Sequence, residues 1–260
     1  VEGTTRFLKN ICGMWLLERC RKEWEATNNY SYTELIDAAL TVPAFRSLIN
    51  PDAPCFSNPT SMIQAIGHYC KETNQPVPQS YGEITRCIFD SLALRYKQVF
   101  GYLQQMAPFP IEKLHIIGGG SRNNLLNQFT CNAVGVPVIA GPSEGTAIGN
   151  IMLQAKANGL VSDIAAMRQL ISTSIETVSF EPQQAEEWKE MVARWTGGRW
   201  RQRPGRGGGA EGKKGVRASA GSRTAAHKPR KSEVRGPRGR HSLRLRIFMD
   251  VLPPHGSDGA

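Results

Sequence analysis

The residues best placed to do chemistry are three consecutive glycines, Gly118-Gly119-Gly120, followed by a polar turn, Ser121-Arg122-Asn123. The side chains before them, Leu114-His115-Ile116-Ile117, are apolar or flat and read as a strand. Those after them, Leu125-Leu126-Asn127-Gln128-Phe129, read as a helix. In a strand–glycine turn–helix unit no Cβ stands between the turn's N–H groups and a ligand. The helix N-terminus behind the turn favours an anion. The chemistry this suits is recognition of a nucleotide phosphate or ribose; the alternative is a tight turn that only joins two elements. The run is neither a dinucleotide fingerprint, G-x-G-x-x-G, nor a P-loop, which needs a Gly-Lys-Ser/Thr ending.

Other reactive residue types are scattered. Asp52 is the one acidic residue in the proline-rich loop Asn50–Pro59, where an Asx turn or a solvated carboxylate competes with a catalytic role. The cysteines Cys12, Cys20, Cys55, Cys70, Cys87 and Cys131 show no C-x-x-C spacing, so scattered buried thiols in a reducing, cytoplasmic setting are expected, and zinc is not. No histidine sits in H-E-x-x-H. No apolar run reaches membrane-spanning length, so no membrane partner is expected. The start, Val1-Glu2-Gly3-Thr4-Thr5, lacks a signal-peptide pattern and resembles the inside of a longer protein.

Stepping outward, the elements that would carry the turn follow from period and caps. Residues 4–9 suit a short strand, and Asn10 suits the cap of a helix over 11–25. Ser31 with Glu34, and Ser80 with Glu83, are capping boxes that open helices near 32–40 and 81–100. The second helix is apolar on more than a stripe and should be largely enclosed. A helix is expected over 60–72, and a strand or loop between Pro43 and Pro51. A strand over 113–117 leads into the glycine turn and a helix over 124–133. The run Val136–Ala140 has strand character, with Pro137 pointing to an edge or a strand start. A second glycine turn, Gly141-Pro142-Ser143-Glu144-Gly145, opens a helix rich in small residues over 146–157. A helix over 163–172, a strand over 177–180 and a helix begun by Pro182 over 183–195 complete this part. The recurrence of strand, glycine turn and helix within 113–157 fits an α/β layer fold whose ligands bind where strands end and helices begin.

Several of these stretches together resemble the C-terminal part of the FGGY carbohydrate kinases, within the actin-like ATPase fold. The likeness runs over roughly residues 1–195. It includes Gly3-Thr4-Thr5-Arg6-Phe7-Leu8-Lys9-Asn10-Ile11, Trp15-Leu16-Leu17, Phe56-Ser57-Asn58-Pro59, Gln75-Pro76-Val77-Pro78, Gly82-Glu83-Ile84 and Ser91-Leu92-Ala93. It is strongest over Leu114–Gly120 with Asn123, Leu125, Leu126, Asn127 and Gln128, and again over Val138–Asn150. The branch it is most similar to acts on L-rhamnulose.

The resemblance implies an α/β, ribonuclease H-like or actin-like ATPase C-terminal lobe over residues 1–196. It implies ATP with Mg2+ as cofactors, and transfer of the γ-phosphoryl group to the primary hydroxyl of L-rhamnulose. By likeness, the nucleotide-contacting residues are Gly118, Gly119, Gly120, Asn123 and Asn127, with Gly119 and Gly120 near the phosphates and Asn123 beside the adenosine. Gly145 and Gly149 belong to the segment that closes against them. The sugar site, the first phosphate loop and the aspartate that accepts the hydroxyl proton belong to the family's N-terminal lobe, which the sequence does not match. No catalytic or metal-ligating residue is therefore assigned in this chain, and it is expected to be inert or weak alone.

Residues 197–260 are a different kind of sequence. Residues 1–200 hold 17 Lys+Arg against 18 Asp+Glu, whereas residues 201–260 hold 15 against 4 together with 11 glycines. This Arg/Gly-rich basic tail is expected to be disordered, because such sequence cannot offset its ordering entropy by burial. It has no counterpart in the family and reads as an unrelated extension. The other reading is a nucleic-acid adaptor on a decayed kinase scaffold. The tail has no aromatic residue from 201 to 247 to stack on bases, so non-specific polycation binding is all that is expected of it.

Overall fold

The computed structural model describes residues 11–107 and 109–197. The strand expected at 4–9, the Asn10 cap and the tail from 198 onward lie outside the described residues. In chain order the elements are α1 (Trp15–Trp24), α2 (Tyr32–Leu40), a 3-10 turn (Pro54–Phe56), α3 (Met62–Glu72), α4 (Tyr81–Met106) and β1 (Leu114–Ile116). A second 3-10 turn (Gly119–Arg122), α5 (Asn124–Val134), β2 (Val138–Ala140), α6 (Gly145–Ala157), α7 (Ile164–Ser174), β3 (Val178–Phe180) and α8 (Ala185–Thr196) follow.

The scaffold is α4. Both halves of its capping box form: the Glu83 N–H donates to Ser80 Oγ at 3.1 Å, and the Ser80 N–H donates to the Glu83 carboxylate at 3.4 Å. From Gly82 to Phe100 this helix buries residues all round, including Ile84, Ile88, Phe89, Leu92, Leu94 and Tyr96. Full burial of each large apolar side chain is worth about 1.5–3 kcal/mol. The helix runs on through Gly101 to Met106, six residues further than the apolar pattern marks; Tyr102 and Met106 on this extension are exposed. Helix α2 lies close to the start of α4: a Cβ on Gly82 would stand 2.8 Å from the carbonyl oxygen of Ala38.

A buried ion pair joins α4 to the rest. The Arg86 guanidinium donates to Asp90 one turn later at 2.9 Å, and Asp90 also accepts the Phe45 N–H at 2.7 Å. Phe45, at φ +55°, meets the Trp188 ring of α8 edge-on at 4.7 Å, and Arg86 lies over the Phe129 ring of α5 at 4.7 Å. Burial pushes the Asp90 carboxyl up to about 6, with the nearby Arg86 cation opposing that shift.

The segment between Pro43 and Pro51 is loop, not strand. Asp52 is a structural tie: it accepts the Cys12 N–H at 3.0 Å and pairs with Arg95 of α4 at 2.8 Å. The Asx turn there belongs to Asn50, whose side chain accepts the Asp52 N–H at 3.2 Å. Helix α1 starts at Trp15 behind Met14, which supplies no side-chain cap, so it is shorter than the periodicity over 11–25 suggests. Helix α8 starts at Ala185, beyond Pro182, after Gln184 turns the chain at φ +52°.

The sheet has three strands in the order β1-β2-β3. β1 and β2 are parallel, with Leu114 opposite Val138 and Ile116 opposite Ala140, and α5 is the crossover between them. β3 adds antiparallel to β2, with Phe180 opposite Val138. β2 is therefore the central strand. Pro137 sits just before it and joins the ladder through its carbonyl, which accepts the Leu114 N–H at 2.9 Å; the missing proline N–H is not needed there. None of the six cysteines is in a disulfide, and four of them are buried. Burial holds the Cys131 thiol up at about 11, protonated, and it donates to the Phe180 carbonyl at 3.1 Å, tying α5 to β3.

Candidate functional site

The parallel strands β1 and β2 end side by side, and the two glycine turns leave them still joined. The Gly141 N–H donates to the Ile116 carbonyl at 2.8 Å, and the Gly118 N–H donates to the Pro142 carbonyl at 3.0 Å. The two glycine turns thus lie side by side at the carboxyl ends of adjacent strands, where ligands of open α/β sheets bind. Gly118 stands at φ +83°, a left-handed conformation that strains any residue with a Cβ.

Beyond it the chain tightens into the 3-10 turn Gly119–Arg122. The Gly118 carbonyl accepts both the Ser121 N–H at 3.0 Å and the Ser121 hydroxyl at 2.8 Å. Gly119 is exposed at the apex and Gly120 is half-buried. Asn123 caps α5, its Oδ1 accepting the Leu126 N–H at 3.0 Å, while its amide nitrogen lies 3.8 Å from Met14 Sδ. Asn127 is 1% exposed, and its amide nitrogen donates to the Ser121 carbonyl at 2.8 Å. It braces the turn from behind, inside the fold.

The facing wall is the start of α6. Gly145 opens this helix, and Glu144 before it makes no side-chain cap bond. The N–H of Ile148 is the first to close onto the helix, at 3.1 Å from the Glu144 carbonyl, so the N–H groups of residues 145–147 project from the helix end. A helix start of this kind attracts negative charge. Gly145 packs on Ile117: a Cβ there would come within 3.4 Å of Ile117 Cδ1. Gly149, one turn on, faces open space, with nothing within 4 Å of a Cβ built there.

One contact spans the two walls. Arg122, the last residue of the 3-10 turn, donates to Ser143 Oγ at 3.3 Å and to the Glu144 carboxylate at 3.4 Å. The sequence reading assigns a role to neither side chain, because their pairing depends on how two separate turns are laid together. Pro142 and Ile117, which position both turns, carry no local signal either.

The turn therefore brings Gly118, Gly119, Gly120, Asn123 and Gly145 together, with Asn127 behind it and Gly149 further along α6. The residues present fit an anionic ligand: a backbone free of Cβ at the apex, an uncapped helix start opposite, and one cation. They offer little to a metal. Among the described residues no group of three or more His, Cys, Asp or Glu could hold an ion. A small pocket lined by Val42, Pro43, Arg46, Pro78, Glu83 and Asp90 includes none of the glycine-turn residues. No described helix is long and apolar enough to cross a membrane.

Residues 1–158 match the FGGY family of carbohydrate kinases, C-terminal domain, and the chain belongs to that family. The relatives sharpen the likeness. The chain is 62% identical over 188 residues to a rhamnulokinase of Bacteroides thetaiotaomicron, covering 72% of this chain and 38% of that protein. It is 46% identical over 197 residues to a rhamnulokinase of Pectobacterium carotovorum subsp. carotovorum, covering 74% and 39%. It is 44% identical over 182 residues to one of Enterococcus faecalis, covering 69% and 36%.

The chain thus spans less than two-fifths of the length of these relatives. Among solved structures it resembles a xylulose kinase from Rhodospirillum rubrum, with a TM-score of 0.52 at 18% identity, covering 71% of this chain and 37% of that one. It also resembles a gluconate kinase from Lactobacillus acidophilus, with a TM-score of 0.51 at 13% identity, covering 75% and 39%. At such low identity these two speak to the fold alone: an α/β lobe of the sugar-kinase kind.

Proposed function

We propose that residues 1–196 form the nucleotide-binding lobe of a rhamnulose kinase, an actin-like ATPase lobe, and that residues 197–260 are a separate basic tail. The observation that carries this is the pair of glycine turns held together at the ends of β1 and β2, with the exposed apex at Gly119 facing the uncapped start of α6. ATP lies with its phosphates toward Gly118–Gly120 and the α6 N-terminus, and its adenosine toward Asn123. The likeness to rhamnulokinases supports L-rhamnulose as the acceptor. The reaction then moves the γ-phosphoryl group to the primary hydroxyl and yields the 1-phosphate.

The chain's own residues do part of this work. The glycine turns orient the nucleotide, and the α6 start and Arg122 offset phosphate charge. Mg2+, when bound, neutralises charge on the phosphates. By the likeness to the family, the hydroxyl proton is taken by an aspartate of the family's N-terminal lobe.

Calorimetric titration with ATP tests the site. Gly119→Asp sets a carboxylate at the exposed apex, where it repels phosphate, and is expected to weaken ATP binding at least tenfold while leaving the fold's thermal midpoint in place. Unchanged affinity in this variant would overturn the assignment of the turn.

A further inference from the structure

We infer that Arg122 and Glu144 form an electrostatic latch across the mouth of the glycine cradle, and that nucleotide phosphate opens it by taking the Arg122 guanidinium away from Glu144. The inference rests on the nucleotide-site reading given above.

The geometry argues for a latch more than for a structural bond. Arg122 ends the turn after β1 and Glu144 precedes the helix after β2, so the contact joins the two walls across the opening and not within either wall. The two side chains are 71% and 73% exposed, and the N–O distance is 3.4 Å. An exposed pair of this kind holds by a factor of about five or less. The turns are already fixed by backbone bonds from Gly118 and Gly141, so the fold does not depend on it.

Glu144 also stands at the positive end of α6, which favours its carboxylate there. It is the N-cap residue of α6, and its side chain makes no cap bond. Its carboxylate reaches the guanidinium instead. An incoming phosphate wants the same two positive features, Arg122 and the α6 start. The carboxylate competes for the first and repels at the second. ATP binding therefore includes an exchange of one anionic partner of Arg122 for another. Uncharged adenosine calls for no exchange.

Titration of the whole 260-residue chain with ATP and, separately, with adenosine reads this out, using Glu144→Gln, Arg122→Ala and the double variant. Both positions are exposed, so folding is not at stake. Glu144→Gln is expected to tighten ATP about threefold to fivefold at low salt, with the gain shrinking as salt rises. Arg122→Ala is expected to weaken ATP by a similar factor, and neither change should move adenosine affinity. In the Arg122→Ala background the Glu144→Gln gain should fall by at least half, because no guanidinium remains to be freed.

A Glu144→Gln gain of equal size in both backgrounds would reduce Glu144 to simple repulsion and overturn the latch. So would unchanged or weaker ATP binding by Glu144→Gln. These failures are separate from failure of the site itself, which is marked by ATP affinity that Gly119→Asp does not alter.

Discussion

Helices α4 and α6 are built to opposite specifications. α4 buries fourteen of its residues, polar ones included. α6 buries only Met152, and its Ile151 and Leu153 are exposed. α7 likewise buries only Met167. One helix is a post that fixes where α5 stands. The other presents its N-terminus to the glycine turn and is anchored mainly at that end, by Gly145 against Ile117 and by the paired turns beneath. A nucleotide site needs both properties: a rigid base to hold the backbone cradle in shape, and a lightly packed wall that can meet the ligand.

That contrast can be broken at its strongest point first. Asp90→Ala should destabilise the protein by about 3–5 kcal/mol, because it strands the Arg86 cation and the Phe45 N–H in the interior. Denaturant unfolding with an unchanged slope is the check. The same residue gives stability a pH dependence. Its folded value of about 6 lies above the ordinary 3.8, so the folded state holds the proton more tightly. The stability this contributes is complete below about pH 4 and is lost as pH rises through 6. The stability of the wild type relative to Asp90→Asn should therefore fall between pH 4 and pH 7. A difference that rises instead would mean the Arg86 pair outweighs burial.

Smaller effects sharpen the comparison. Leu92→Ala, on the fully buried face of α4, should cost about 3 kcal/mol. Ile151→Ala, on α6 and 64% exposed, should stay within about 0.5 kcal/mol. Similar losses at the two positions would erase the distinction between post and wall.

Much of this was legible before the fold was seen, where a signal is local. The capping boxes at Ser31 and Ser80 fix the starts of α2 and α4, since the cap residue and its partner are three positions apart in the chain. The alternation of strand, glycine turn and helix over 113–157 gives the parallel β1–α5–β2 unit. The ends are less readable: α1 has no side-chain cap, α4 runs through Gly101, and α8 begins after a left-handed Gln184 that Pro182 masks. The place of β2 between β1 and β3 was not readable either, because a strand of three residues carries too little pattern to choose its neighbours.

At the site, the glycines announce themselves by type. The inward brace of Asn127 does not, since an asparagine in a helix looks the same whether it faces a ligand or a carbonyl. The Arg122–Glu144 contact joins residues 22 positions apart and exists only once two turns are juxtaposed.

A crystal structure of the chain with a non-hydrolysable ATP analogue tests the central claim most directly. The account predicts the phosphates against Gly118–Gly120 and the first turn of α6, with the adenosine beside Asn123. A nucleotide bound anywhere else on the lobe would contradict it.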